Sequence, residues 1–398
     1  MSVALSLLTA AVLAGATNNN TSKNTCSVDH LNPATLIHLQ MGKVSERLGD
    51  KPMLATSELT TTNGGKILGY TRIGVRYTAC GGLRDLLQER RGDLKRYFFG
   101  KQANKILTLK LNISPLGGVD ATKPLASIKR NSNKKGESWD TVIVNDEILL
   151  PYFRVDRSST VSIEASLRSD RTYESGLAGS TLEVVQKAAA LINPATTLIT
   201  KENKERFNSA ASFVDGAVNG MLAVSIDEKA NSRVALDSPE DKQSLAIITL
   251  SLPMANRTFA STLFPLEQGG QWEVYAERYR PSMMADLQSA TAISRKDTSV
   301  TTVMNYLVGD KKTVRESLAA SKSLAAARDS LVAAKDGDIS NKARILCRAI
   351  ASEVEVLGLT PVDVGAVAWA YLADLSFVPE KYKAAEVGCA DVEQYPAP

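Results

Sequence analysis

The sequence predicts an α+β protein: an antiparallel β-sandwich-like body, a helical insertion at about 180–220, and a helical C-terminal region. Three observations carry this. Val161, Ile163, Ala165 and Leu167 alternate with Ser162, Glu164, Ser166 and Arg168, the period-two signature of a half-buried strand. Strand-like runs recur on both sides of it, interrupted by two helix-like segments between about 180 and 220. From Pro281 the apolar spacing becomes that of a helix. The expected organisation is a mixed β-rich body over 17–280 carrying the insertion, a helical region over 281–378, and a polar tail over 379–398.

Residues 1–16 stand apart. Val3 to Ala16 is uncharged and mostly apolar, Ala14-Gly15-Ala16 fits a signal-peptidase site, and a polar Asn/Thr/Ser stretch follows. No Lys or Arg precedes the run, so an apolar arm docked on a neighbour is the alternative. It is too short to span a bilayer, which needs about 20 apolar residues, and no longer run follows, so no transmembrane segment is expected.

In chain order, Asn32-Pro33 reads as a helix start, with Leu36, Ile37, Met41, Val44 and Leu48 at helical spacing and Gly49 as the stop. A loop over 50–65 ends in Asn63-Gly64-Gly65. Ile73, Val75 and Tyr77 then alternate with Arg72, Gly74, Arg76 and Thr78, which marks a strand. Leu83, Leu86, Leu87, Leu94, Tyr97 and Phe98 fit a helix face. Leu107, Leu109, Leu111 and Ile113 alternate with polar neighbours in a second good strand, and 117–137 reads as a polar, basic connection. Thr141–Val144 and Ile148–Val155 are strand-like, with Asn145-Asp146 as the turn between them and Asp156–Ser159 as the turn before the clean strand.

The insertion comprises a helix stopped by Asn193-Pro194 and a second from about 201 to 218, with Phe207, Ala210, Ala211, Val214 and Val218 on one side. Strands are expected at 221–226, 233–236 and 245–252, the last apolar on both faces and so central in its sheet. Trp272, Val274 and Ala276 alternate with Glu273, Tyr275 and Glu277 in another. The helical region holds an Ala/Leu-rich stretch over 314–334, a helix over 340–357 with Leu346, Ile350, Val354 and Leu357 on one stripe, and a nearly enclosed helix begun by Thr360-Pro361-Val362-Asp363.

With 398 residues, 44% hydrophobic and 23% charged, the chain has the composition of a globular protein rather than a disordered one. Its formal charge of +4 permits a polyanionic partner without requiring one. Nucleotide-loop, zinc-type and nucleophile-elbow motifs are absent. The two histidines, His30 and His38, are the only bases for a Ser-His or Cys-His mechanism, and both are better read as surface or hydrogen-bonded histidines in or beside one short helix. Asp146, Glu147, Asp156, Glu164, Glu273 and Glu277 sit on or beside predicted strands and are the candidates for paired-carboxylate chemistry. Lys335–Ile339 fails as a calcium loop, since Val332, Ala334 and Ala343 occupy ligand positions; it reads as a turn between helices. Cys26, Cys80, Cys347 and Cys389 are scattered and permit two disulfides in an exported protein, with three pairings open.

The distinctive segment is basic. Between Arg84 and Lys135 thirteen Lys/Arg face Asp85, Glu89, Asp93 and Asp120. Arg90, Arg91, Lys95, Arg96, Lys101 and Lys105 bracket Tyr97-Phe98-Phe99, a pattern that offers phosphate contacts beside stacking rings. The competing reading is an amphipathic helix with its aromatics in the core. Taken together, the expected function is that of a non-enzymatic interaction or assembly protein acting through its surfaces, with a protein partner or self-assembly and no cofactor. The alternatives are a polyanion (nucleic-acid) binder or virion/filament subunit using the basic segment, and a hydrolase with a carboxylate-based site. The expected location is secreted or periplasmic; a soluble intracellular or virion location is the alternative.

Overall fold

The computed structural model describes residues 37–41, 59–60, 66–78, 104–114, 119–133, 136–143, 146–169, 198–221, 225–236, 243–253, 266–287, 293–308, 312–390 and 394–397. These form two antiparallel β-sheets stacked as a sandwich, one long helix against the sandwich, and a C-terminal cluster of helices.

The first sheet is built from β1 (Ile37–Met41), β2 (Leu59–Thr60), β3 (Lys66–Thr78), β7 (Asp146–Asp156), β10 (Gln243–Pro253) and β11 (Leu266–Ala276). Its order is β1-β10-β11-β3-β2, with β7 also paired to β3. The second sheet has the order β6-β5-β4-β8-β9, from β4 (Asn104–Ser114), β5 (Val119–Asn133), β6 (Gly136–Ile143), β8 (Thr160–Ser169) and β9 (Ser225–Ala235). β4 and β8 sit at its centre in register, Leu107, Leu109, Leu111 and Ile113 opposite Leu167, Ala165, Ile163 and Val161. All eight are at most 2% exposed, and they join Ile73, Val75, Phe153, Ile248, Trp272 and Val274 of the first sheet in one core. Period-two alternation thus places a full apolar face inward on both sheets.

Several expectations need correction. The predicted helix after Asn32-Pro33 is wrong over its described part: Ile37–Met41 is the edge strand β1, paired with Leu250 to Ala246 of β10. The apolar spacing there fits a helix in isolation, but a neighbouring strand supplies the bonds that decide the state. The predicted connection over 117–137 contains β5, whose polar outer positions and internal Pro124 hide the strand pattern. Pro124 pairs with Thr108 where the register shifts, the position a sheet tolerates for proline. The expected strands at 221–226 and 233–236 are the end of a helix and one continuous strand, β9. The predicted helix over 83–98, the first helix of the insertion and the turn Asn63-Gly64-Gly65 lie outside the described residues.

Helix α1 (Lys201–Met221) lies along β5 and buries Phe207, Ala210, Ala211 and Val214, the expected face. Asn208 accepts from the Asp120 N–H, and Lys110 pairs with Asp215, fixing its position over β4 and β5. The C-terminal cluster holds α2 (Val300–Met304), α3 (Val314–Ala319), α4 (Lys322–Val332), α5 (Ile339–Val356), α6 (Pro361–Asp374) and α7 (Pro379–Cys389). The Ala/Leu-rich stretch over 314–334 is therefore two helices, because Ser321 accepts from the Leu324 N–H and starts a new one. Residues Pro361 to Leu372 of α6 are all buried, as expected. The polar 379–398 segment supplies α7, whose Cys389 is disulfide-bonded to Cys347 of α5 with Cα atoms 5.2 Å apart. No helix among the described residues is long and apolar enough to cross a membrane.

The sandwich and the helical cluster meet at a buried polar knot. Tyr70, on β3, leaves the sandwich core and enters the helical one. Its hydroxyl accepts from the Thr360 N–H at 2.5 Å and donates to Asp363 Oδ2 at 2.9 Å. Asp363 also accepts from Ser282 Oγ at 2.5 Å and the Met283 N–H at 2.9 Å, while Thr360 Oγ1 donates to the Pro281 carbonyl. Asp363 is fully buried, and burial pushes its carboxyl up to about 6 against the pull of these donors. Burial likewise raises the Tyr70 phenol well above its ordinary value. Every polar group of the knot has a partner, which is what makes its burial tolerable.

Candidate functional site: an arginine–tyrosine face

Because Ile73 and Val75 point into the core, β3 must turn Arg72, Gly74 and Arg76 to the opposite face of the sheet. On β11, burial of Trp272, Val274 and Ala276 turns Glu273 and Tyr275 the same way; on β7, burial of Phe153 and Val155 does so for Tyr152 and Arg154. The segment after β11 adds Glu277, Arg278 and Arg280. It is pinned to β3 by paired backbone bonds between Tyr70 and Arg280, both 2.8 Å, and to α6 through Ser282 and Met283.

The result is a shallow open groove lined by Arg76, Asp146, Tyr152, Tyr275, Glu277, Arg278 and Arg280. The Arg72 guanidinium carbon lies 5.1 Å and that of Arg280 5.5 Å from the centre of the Tyr152 ring. Arg76 lies 5.7 Å from the centre of the Tyr275 ring. The Tyr275 ring itself lies across Gly74, where a Cβ would come within 2.6 Å of it, so only glycine fits beneath. Arg72 Nε donates to Glu277 Oε2 at 2.6 Å, and this bond raises the guanidinium above its ordinary value. Tyr275 donates to Asp146 Oδ1 at 3.2 Å, its phenol raised by burial first and by that carboxylate second. Arg280 also approaches Asp286, at 3.7 Å, beyond the groove.

Arg72, Arg76, Arg278 and Arg280 thus share one face with three carboxylates: Asp146 and Glu277 already have partners, and Glu273 stands opposite Arg76 in the strand register. Arg76 and Arg278 are the exposed cations. Cation–π contact with fixed rings, and an ion pair at Arg72, hold planar donors in place. Such a face can bind an anion.

The residues expected to carry chemistry are spread apart. Asp156 accepts from the Ser158 N–H and from Ser158 and Ser159 hydroxyls, closing its own turn. Glu164 pairs with Lys229, and Glu147 with Lys123. Glu273 stands opposite Arg76 in the β11–β3 register. Only Asp146 and Glu277 converge, in the groove. Burial lowers the Lys123 ammonium to about 8, beside a cavity under α1 that holds about 20 Å³, room for a single water. Among the described residues no group of three His, Cys, Asp or Glu is placed to hold a metal ion.

Of the basic candidates, Arg90, Arg91, Lys95, Arg96 and Lys101 lie outside the described residues, as do Cys26, Cys80 and His30. Lys105 is in β4, its backbone between Ile128 and Ser169, and His38 is in β1 opposite Thr249. The arginine–tyrosine face went unmarked in the sequence reading, although its signal was present: arginines at the outward positions of a strand, two residues either side of a glycine. Comparison with protein-family models gave no match, and comparison with curated proteins gave none either.

Proposed function

We propose that this is a non-enzymatic interaction protein that acts through its surface, and that the arginine–tyrosine face is where it meets a partner of dense negative charge. The observation that carries the reading is the set of guanidiniums fixed over Tyr152 and Tyr275 on one open face. A guanidinium offers donors in a fork that matches phosphate or carboxylate, and one already held in place loses less entropy on binding. A carboxylate-based hydrolase has less support, since Asp146 and Glu277 are engaged by Tyr275 and Arg72. The Cys347–Cys389 bond favours an oxidising location, secreted or periplasmic.

Elution from heparin–agarose tests this. The doubly reversed variant R76E/R278E is expected to elute at clearly lower salt than the wild type, and co-elution of the two would overturn the reading. Reversal of Arg344 and Arg348, exposed on α5, serves as the control for net charge.

A further inference from the structure

Resting on that reading, we infer that the arginine–tyrosine face takes single-stranded nucleic acid, with phosphates on Arg76, Arg278 and Arg280 and bases against the flat groups of Arg280, Tyr152 and Arg72. Two features of the face select this ligand among polyanions. The first is planarity. Arg72 and Arg280 both approach the Tyr152 ring, at 5.1 and 5.5 Å, so flat groups gather at one place in the groove. Unstacked bases lie on aromatic rings and on guanidinium planes alike, whereas a sulfated sugar or polyphosphate chain has no flat face to offer. Tyr275 is only 4% exposed beneath Arg76, so at that end the outermost plane is the guanidinium itself.

The second feature is shape. The floor is the outer surface of three strands, β7, β3 and β11, and the groove is shallow and open. Residues Arg72 and Arg76 are four apart on one strand, about 13 Å along it at the usual rise. That suits an extended strand crossing the sheet. Reading a duplex instead calls for a helix or a two-stranded ribbon that enters a groove of the nucleic acid, whereas the described residues that line this face lie on strands and the segment after β11. Asp146 and Glu277 do not repel the strand as free charges would, because Tyr275 donates to one and Arg72 to the other.

The test is anisotropy of a labelled twenty-nucleotide oligothymidylate and the matching oligouridylate, titrated with the full chain at 50 and 200 mM salt. Three phosphate contacts on a single strand correspond to roughly a twenty-fold loss of affinity across that range, and R76A should flatten the log–log slope by about 0.7. Y152L, which removes the plane, should weaken binding roughly ten-fold, and Y152F, which keeps it, should restore affinity. Heparin, polyphosphate and a duplex of the same sequence are the competitors. Equal competition by the duplex or by polyphosphate, with Y152L indifferent, would overturn the assignment while leaving the anion-binding face intact. Tight binding of the single strand that ignores R76E and R278E would overturn it too, by moving the site elsewhere. Failure of every polyanion to bind would sink both the assignment and the reading beneath it.

Discussion

Replacing Asp363 by asparagine removes a carboxyl buried where the sandwich meets the helical cluster, and the consequence is a pH dependence opposite to that of most acids in proteins. The carboxyl holds its proton up to about 6 in the folded chain, against 3.8 when exposed. The folded state therefore binds this proton more tightly than the unfolded state does. Its stabilising contribution is full below about 4 and is lost as pH rises through 6. Between pH 7.5 and 4.5 the linkage amounts to about 2 kcal/mol in favour of the wild type. Asparagine cannot titrate and cannot accept from both Ser282 and the Met283 N–H as well as a carboxylate does, so D363N starts out less stable at any pH. The pH dependence of the difference is independent of that fixed cost. Urea unfolding followed by circular dichroism at the two pH values measures it. On acidification the wild type should gain about 2 kcal/mol relative to D363N. A wild type that loses ground to D363N on acidification would mean a carboxyl with a depressed value, and the burial argument would be refuted.

Three further outcomes follow from the same geometry. Tyr70→Phe leaves the Thr360 N–H without its acceptor in a buried site and strips one donor from Asp363; a loss of about 2–4 kcal/mol is expected from chemical denaturation. Gly69→Ala sets a Cβ 2.7 Å from the Arg280 carbonyl at a φ of +140°, so it should cost stability and displace Arg280 from Tyr152, read as weakened polyanion binding. C347A/C389A opens a link between residues 42 apart, worth about 4 kcal/mol by the chain-entropy relation; thermal scans without reductant should show the variant unfolding well below the wild type, and reductant should narrow that gap.

The parts of the fold legible in the sequence were those whose neighbours merely confirm a local pattern. β8 and β4 alternate cleanly because both are central and present one apolar face to the core, and α6 is apolar all round because helices and the Tyr70 knot enclose it. β1 and β5 were missed for the opposite reason. Ile37–Met41 is five residues whose state is set by β10, more than two hundred positions away, and β5 carries Pro124 inside its run. The expected helical face of α1 was right down to Phe207, Ala210, Ala211 and Val214, since a helix buries a stripe whatever it packs against. The site was harder. Arg72 and Arg76, Tyr152, and Arg280 come from three distant stretches, and only the register of β7, β3 and β11 brings them together. Most of the cations in the basic run over 84–135 lie outside the described residues.

The most direct measurement is chemical protection of arginine. Phenylglyoxal modification, mapped by mass spectrometry in the presence and absence of single-stranded oligonucleotide, reports which guanidiniums the ligand covers. Protection of Arg76, Arg278 and Arg280, with Arg344 and Arg348 on α5 still reacting, is the expected result. Unchanged reactivity at Arg76 and Arg278 under saturating ligand would contradict the account.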